Sequence, residues 1–285
     1  MSRRPLVLLA LAVATATGAL VVWLGAFASA TGQRLDTSAL SAFAIADNPP
    51  WHPSITGVAE LAGLIPVLVG AVALIAIALW RRRWMMAAVI PVILLSANLV
   101  TQLLKPGLAH ARFVEMAGWE RPYPASWPSG HATAAMSLAL CLVLVVGPRV
   151  RPFAAVVGAG YAVSVGYSLI AMGWHLPSDV LGGFLIAATF TLLGAAALSL
   201  LEARQPVTAN RPGRASRVPT TVDGPLLLGV FGATAVAVLG GLVALAHHPR
   251  ASSFATEHPS ALLAAAGVGA LGLSLTAALT VALRR

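Results

Sequence analysis

The feature that most constrains this 285-residue chain is its series of long apolar stretches, separated by short polar connections. A helix needs about 20 mainly apolar residues to cross a bilayer, and a spanning segment must satisfy its own backbone hydrogen bonds. The sequence therefore predicts an all-α fold, a polytopic membrane helical bundle. Eight spans are expected, at roughly 5–30, 56–80, 85–104, 131–147, 153–173, 179–201, 225–246 and 261–283.

Composition supports a membrane protein and argues against a nucleic-acid partner. Only 9% of the residues are charged, whereas soluble domains carry roughly 25%. The net charge of +9 is spread over short basic clusters between the apolar runs rather than gathered in one patch. We therefore expect membrane lipids around the chain and no nucleic acid, while the oligomeric state is not readable.

The basic residues also predict the orientation. Of the 18 Arg and Lys residues, 13 lie at the termini and in the even-numbered connections, and five lie in the odd-numbered ones. Because cytoplasmic segments are enriched in Lys and Arg, both termini are expected in the cytoplasm. The Arg-rich and Ala-rich composition indicates a high-GC bacterium, and hence the plasma membrane.

Three further features concern the organisation of the chain. Ala28-Ser29-Ala30 fits a signal-peptide cleavage site, but the apolar stretch before it is longer than the roughly 7–15 residues of a signal peptide, so a retained helix is favoured. Residues 31–55 are expected to form an outer loop. The Pro-containing stretch 202–224 is expected to be a cytoplasmic linker between a six-helix core, 1–201, and a C-terminal helix pair, 225–285.

Three polar clusters fall on the predicted outer side. In the first, Lys105 and Arg112 are separated by six residues, and Lys105 continues a polar stripe on one helix face. A polar stripe inside a span normally faces the bundle interior or a wet cavity. The alternative for Lys105 is a side chain that reaches to the membrane interface.

The second cluster is Pro128-Ser129-Gly130-His131, directly before a span. Glycine lets a ligand approach the backbone, and a helix start presents free N–H groups to an anion. Ser129 and Gly130 are therefore candidate phosphate contacts, and His131 is a candidate proton donor. The alternative is a plain helix cap by Ser129 beside an interfacial histidine.

The third cluster is His175-Leu176-Pro177-Ser178-Asp179. We expect Asp179, in the first turn of a helix, to accept a hydrogen bond from one ring nitrogen of His175, which leaves the other nitrogen free to attack. Together the clusters supply cations, a helix start, a nucleophile and a proton donor, the parts that phosphoryl transfer requires.

These residues resemble the type 2 phosphatidic acid phosphatase (PAP2) superfamily of membrane lipid phosphatases and related haloperoxidases, over roughly residues 55–200. The family pattern is K-x6-R-P, then P-S-G-H, then S-R-x5-H-x3-D. Pro128 to His131 match fully, whereas Phe113 stands in place of proline and Leu169 in place of arginine.

The resemblance implies a phosphohistidine intermediate on His175, with Asp179 orienting it and His131 protonating the leaving group. Lys105, Arg112 and the backbone of Ser129 and Gly130 would hold the phosphoryl oxygens, with no metal or other cofactor. Leu169 leaves this set one arginine short. Either Arg121 replaces the missing cation, or catalysis is weakened or specialised.

The function expected is a lipid phosphate or pyrophosphate phosphatase with an extracytoplasmic site. Polyprenyl pyrophosphate, phosphatidic acid and phosphatidylglycerol phosphate are the candidate substrates. The alternative is a non-catalytic protein that binds or transports lipid phosphates. A zinc site is ranked low, because Lys105 and Arg112 would repel a cation from its candidate ligands, which are His110, His131, His175 and Asp179.

Overall fold

The structure is a computed structural model that describes residues 3–43, 52–116, 119–204, 253–254 and 256–284, with the backbone alone for residues 52, 113–116, 119–123 and 204. The predicted linker beyond residue 204 and the predicted span 225–246 lie outside the described residues. The structure confirms the predicted all-α bundle.

Nine helices and one hairpin are described. The helices are α1 (Arg4–Ala28), α2 (Ala30–Phe43), α3 (His52–Glu60), α4 (Leu64–Trp80), α5 (Trp84–Leu108), α6 (Gly130–Val145), α7 (Arg151–Ala171), α8 (Pro177–Arg204) and α9 (Pro259–Ala282). The strands β1 (Arg112–Met116) and β2 (Trp119–Tyr123) pair antiparallel between α5 and α6.

Among the described residues, five helices are long and apolar enough to cross a membrane: α1, α5, α7, α8 and α9. The pair α3 and α4, bent by 47°, makes a sixth if it is counted as one span. Large apolar side chains on α1, α4 and α5 remain exposed, with Leu64 at 76% and Ile65 at 74%. A soluble surface would not carry such a belt, and a lipid-facing surface requires one. The chain is a multi-pass membrane protein.

The predicted boundaries need three corrections. The predicted span 56–80 is broken between α3 and α4, where Gly63 precedes the second helix. The third predicted span, 85–104, continues through Lys105 and Pro106 to Leu108, so Lys105 lies within the last turn of the helix. Residues 31–43, predicted as part of a loop, belong to α2, in which hydroxyl side chains such as Thr37 and Ser41 donate to carbonyls of the preceding turn.

Helix α6 forms the centre of the bundle and is buried on nearly every side. It is 16 residues long and mainly apolar all round, as expected for a helix that its neighbours cover. Helix α1 packs along α8, where Thr15 and Thr189 join their hydroxyls at 2.9 Å. Helix α9 packs against α7, and the Tyr167 hydroxyl donates to the Ala265 carbonyl at 2.7 Å.

A close crossing of two helices directs α2 toward the start of α8. A Cβ atom on Gly32 would lie 2.1 Å from the carbonyl oxygen of Gly25 in α1, so only glycine fits at residue 32. Ser29 supports the same turn by accepting from the Gly32 N–H at 3.1 Å. This geometry brings Asp36 of α2 to the first turn of α8.

Candidate active site

The site is built around Asp179, which is completely buried in the first turn of α8. Its Oδ1 accepts from Nη2 of Arg112 at 2.6 Å. Its Oδ2 accepts from the Leu176 N–H at 3.0 Å and from the Ser126 hydroxyl. A buried carboxylate needs such donors to remain ionised, and here each oxygen has at least one.

His175 faces this carboxylate from the turn between α7 and α8. Its Nδ1 lies 3.4 Å from Oδ2 of Asp179, as expected from the sequence spacing. Because that carboxylate favours a proton on Nδ1, the second ring nitrogen, Nε2, keeps its lone pair for attack. His175 is 9% exposed, so the residue is largely buried but keeps some access to solvent.

The end of α7 explains how His175 reaches this position. Gly173 adopts φ +66° just beyond the helix, a left-handed conformation that favours glycine. The next two N–H groups, of Trp174 and His175, both donate to the Leu169 carbonyl, at 3.0 and 3.3 Å. This is a Schellman-type helix end, which holds the backbone of the nucleophile candidate in place.

The turn before α6 meets the same end of α8. The Ser129 N–H donates to the Asp179 carbonyl at 3.0 Å, and the Ser129 hydroxyl caps α6 by accepting from the Ala132 N–H at 3.3 Å. Gly183 permits the approach, since a Cβ there would lie 2.7 Å from the Ser129 carbonyl oxygen. The Ser129 backbone donor is therefore already used. The N–H groups of Gly130 and His131, at the helix start, have no partner in the preceding turn of the helix.

His131 and Lys105 complete the cluster. The His131 ring lies 6.1 Å from the ring of Trp174, the neighbour of His175, and His131 is within electrostatic range of both His175 and Lys105. One turn before Lys105, Thr101 joins α5 to α6 through a 3.2 Å contact with Thr133. Within the described part of the chain, Lys105 makes no ion pair.

Arg112 is placed differently from what its predicted role requires. Besides its bond to Asp179, its Nη1 donates to Asp36 at 2.8 Å and to the Ser178 hydroxyl at 3.0 Å. Its guanidinium also lies 4.6 Å from the centre of the Phe27 ring. Both terminal nitrogens thus hold carboxylates in this structure. Binding of phosphate by Arg112 stays a prediction, whereas its bond to Asp179 is an observed contact.

Asp36 is the site residue that sequence reasoning missed. It is buried, and it accepts from the Ser178 N–H at 2.9 Å and from the Ser178 hydroxyl at 2.6 Å in addition to Arg112. Burial raises the pKa of Asp36 to about 6, and the Arg112 guanidinium only partly opposes this. Acidic residues are rare in this chain, nine in all, so an aspartate at a candidate outer surface was a usable signal.

The structure describes Leu169, which stands in place of the family arginine, more fully than Arg121, its candidate replacement. Leu169 is completely buried in the apolar core, and its carbonyl supports the His175 turn. Arg121 lies in β2 opposite Val114, but its side chain lies outside the described residues. Replacement of the missing arginine by Arg121 therefore stays a prediction. The described residues include no group of three His, Cys, Asp or Glu side chains that could hold a metal ion.

This arrangement agrees with a known family. Residues 86–203 match the PAP2 superfamily. The resemblance read from the motifs is thereby confirmed. The matched PAP2 region runs from α5 to α8 and contains all the predicted site residues, but not Asp36 of α2.

A solved structure supports the PAP2 fold. The chain is similar to a transmembrane PAP2 type phosphatidylglycerolphosphate phosphatase from Bacillus subtilis, with a TM-score of 0.51 and 21% identity. The similarity covers 72% of this chain and 100% of the other. No curated protein matches the chain. At this identity the likeness concerns the fold, and chemistry has to be argued from the site.

Proposed function

We propose that this protein is an integral-membrane phosphatase that hydrolyses a lipid phosphate or pyrophosphate through a phosphohistidine on His175. The observation that carries the proposal is the pairing of His175 with Asp179 beside the start of α6. Arg112, Ser126 and the Leu176 N–H hold the carboxylate. The carboxylate in turn orients the ring.

In the first step, Nε2 of His175 attacks phosphorus, and the bond from phosphorus to the leaving oxygen breaks. His131 gives its proton to that oxygen, so the alcohol or phosphate leaves without building up charge. Lys105 and the Gly130 and His131 N–H groups neutralise the phosphoryl oxygens. In the second step, water attacks phosphorus, the bond from phosphorus to Nε2 of His175 breaks, and a proton of the water passes to His131. Inorganic phosphate is released, and both histidines are restored.

The substrate class follows from the position of the site within a membrane bundle. A phosphate at the ends of α5 and α7 is reachable by a headgroup whose chains remain in the bilayer, and the distribution of Arg and Lys supports an orientation with this end outside the cell. Polyprenyl pyrophosphate, phosphatidic acid and phosphatidylglycerol phosphate are the candidates. The similar Bacillus subtilis protein is named for the third of these.

The test is phosphate release from these three lipids by the purified full-length protein in detergent micelles. We expect His175→Ala to lower turnover at least about a thousandfold, because it removes the nucleophile. His258→Ala is the matched control: it also removes a histidine ring, which contacts only Phe254 among the ring contacts described near the start of α9. It should keep wild-type turnover.

A second measurement examines the intermediate. Wild-type protein quenched during turnover of a radiolabelled substrate should carry acid-labile phosphate, and His175→Ala should carry none. Normal turnover by His175→Ala would disprove the nucleophile assignment.

Binding or transport of lipid phosphate without turnover is the second candidate function. The observations that favour it are the buried Leu169 and the engagement of both terminal nitrogens of Arg112. They leave Lys105 as the described cation of the site that holds no carboxylate. Saturable binding of all three lipids with neither phosphate release nor phosphoenzyme would establish this function instead.

A further inference from the structure

A second polar region lies at the end of the bundle opposite the candidate active site. There, a cavity of about 290 Å³ opens between the starts of α1, α5 and α7 and the ends of α6, α8 and α9. Its volume corresponds to roughly ten water molecules, enough for one phosphate group with some hydration. Its charged lining residues are Arg4, Arg83, Arg151, Arg284 and Glu202.

Two of the arginines that line this cavity, Arg83 and Arg151, make no ion pair among the described residues. The carboxylate in the lining is that of Glu202. Burial lowers the pKa of Arg83, Glu202 opposes this, and the nearby charges of Arg81 and Arg4 lower it further. Gathering like charges in a partly desolvated space is unfavourable unless an anion accompanies them.

Arg151 provides the sharpest observation. It is 9% exposed at the first position of α7, and its Nε is buried with no hydrogen-bond partner. Its Nη1 has only a long contact, 3.5 Å, to the Leu283 carbonyl. A buried guanidinium with an unused donor is costly, and Arg151 lines the cavity, so an anion bound there would offset part of this cost.

Helix capping explains only part of this arrangement. Nη1 of Arg83 donates to the carbonyls of Leu144 and Val145 at 3.0 and 3.4 Å, where α6 ends. Cations at helix C-termini are stabilising by themselves, as are arginines near a cytoplasmic membrane surface. Neither effect requires Arg151 to be buried in a cavity with other arginines, and neither uses its free Nε.

From this geometry we propose that the arginine cavity binds a phosphate group, separate from the candidate active site. The planar guanidinium fork matches phosphate oxygens in pairs, and basic pockets between helices at the predicted cytoplasmic side suit anionic headgroups. The phosphate can belong to an anionic lipid headgroup or to free inorganic phosphate. Both present the same oxygen atoms to Arg83 and Arg151.

The experiment uses the full-length protein in nanodiscs and does not depend on catalysis. In one arm, native mass spectrometry counts phosphatidylglycerol molecules retained from discs of phosphatidylcholine and phosphatidylglycerol. In the other, calorimetric titration with inorganic phosphate is performed in discs of phosphatidylcholine alone, at constant ionic strength. Retention in the first arm with no binding in the second identifies a headgroup site, and binding in the second identifies a site that also takes free phosphate.

The decisive pair of variants is Arg151→Gln and Arg149→Gln. Both remove one positive charge from the same connection, but Arg149 is exposed and does not line the cavity. We expect Arg151→Gln to weaken binding roughly tenfold or more, and Arg149→Gln to leave it unchanged. Phosphate bound at the candidate active site would contribute equally to both variants and cancels in the difference.

Arg284 is exposed at the rim of the cavity, and Arg284→Gln is the second variant for the binding measurement if Arg151→Gln does not fold. It should also weaken binding relative to Arg149→Gln. The proposal is overturned by an absence of wild-type binding in both arms, or by equal binding in the cavity variants and Arg149→Gln. The latter result would mean that these arginines serve only capping and topology.

Discussion

The arginines at the two ends of the bundle have different kinds of partner. At the candidate active site, Arg112 lies between two buried aspartates, and each of its terminal nitrogens has a carboxylate partner. At the other end, Arg83 and Arg151 have only carbonyl partners among the described residues. A paired arginine fixes its neighbours in one geometry, whereas an arginine that makes no ion pair retains more of its positive field for a ligand.

This difference predicts the largest effect at Arg112. Arg112→Gln would leave Asp36 and Asp179 buried without their shared cation, so we expect a loss of roughly 3–5 kcal/mol in the free energy of unfolding. Arg151→Gln removes a cation with no partner carboxylate, and in phosphate-free neutral detergent it should change stability by less than about 1 kcal/mol. Thermal unfolding of both variants side by side measures the contrast, and equal losses would show that the two arginines are not held differently.

The next effect concerns the pH dependence of stability. The folded Asp36 carboxyl keeps its proton up to about pH 6, whereas the unfolded one loses it near 3.8. The native state therefore binds more protons in this window, and its stability falls as the pH rises through it, by up to about 3 kcal/mol. Asp36→Asn should remove this slope, measured as the difference in unfolding temperature between pH 4 and pH 7.

Turnover is the second property to measure in Asp36→Asn. Asp36→Asn should also lower phosphate release, because Arg112 and Ser178 lose the carboxylate that positions them. Asp36→Glu, which keeps the charge, should recover part of the turnover. An unchanged pH slope in Asp36→Asn would mean that the buried carboxyl does not titrate in this window.

The smallest effect lies outside the contacts of the site. Gly32→Ala would place a methyl group 2.1 Å from the Gly25 carbonyl oxygen, so α2 must shift. We expect a stability loss of about 1–3 kcal/mol, as for other overpacked positions, and lower turnover because Asp36 moves with α2. Gly25→Ala is the control, since a Cβ at that residue meets nothing within 4 Å. Equal turnover in the two variants would show that the position of α2 does not affect the activity of the site.

Much of the site was predictable because its residues are local in sequence. His175 and Asp179 are separated by one helical turn, and Pro128 to His131 form one helix start, so their relation needs no long-range information. Asp36 was not predictable in this way. Its partners Arg112 and Ser178 are 76 and 142 residues away, and no periodicity connects them.

The other errors have similar causes. Residues 30–43 are too polar to be recognised as a membrane span. A search for apolar segments therefore did not find α2, which packs against the bundle as a polar helix. The predicted span 56–80 missed an internal break, and the predicted span 85–104 ended too early, because hydropathy measures how apolar a segment is and not where its backbone turns.

The sequence by itself determined the all-α membrane bundle, the resemblance to the PAP2 superfamily, and the local arrangement of both histidines and Asp179. These follow from hydropathy and from spacing within single turns, which act between near neighbours. Only the tertiary structure decided that Arg112 holds two aspartates and that Arg83 and Arg151 meet in a cavity. Both results depend on how helices distant in sequence pack, which the pattern of any single helix does not specify.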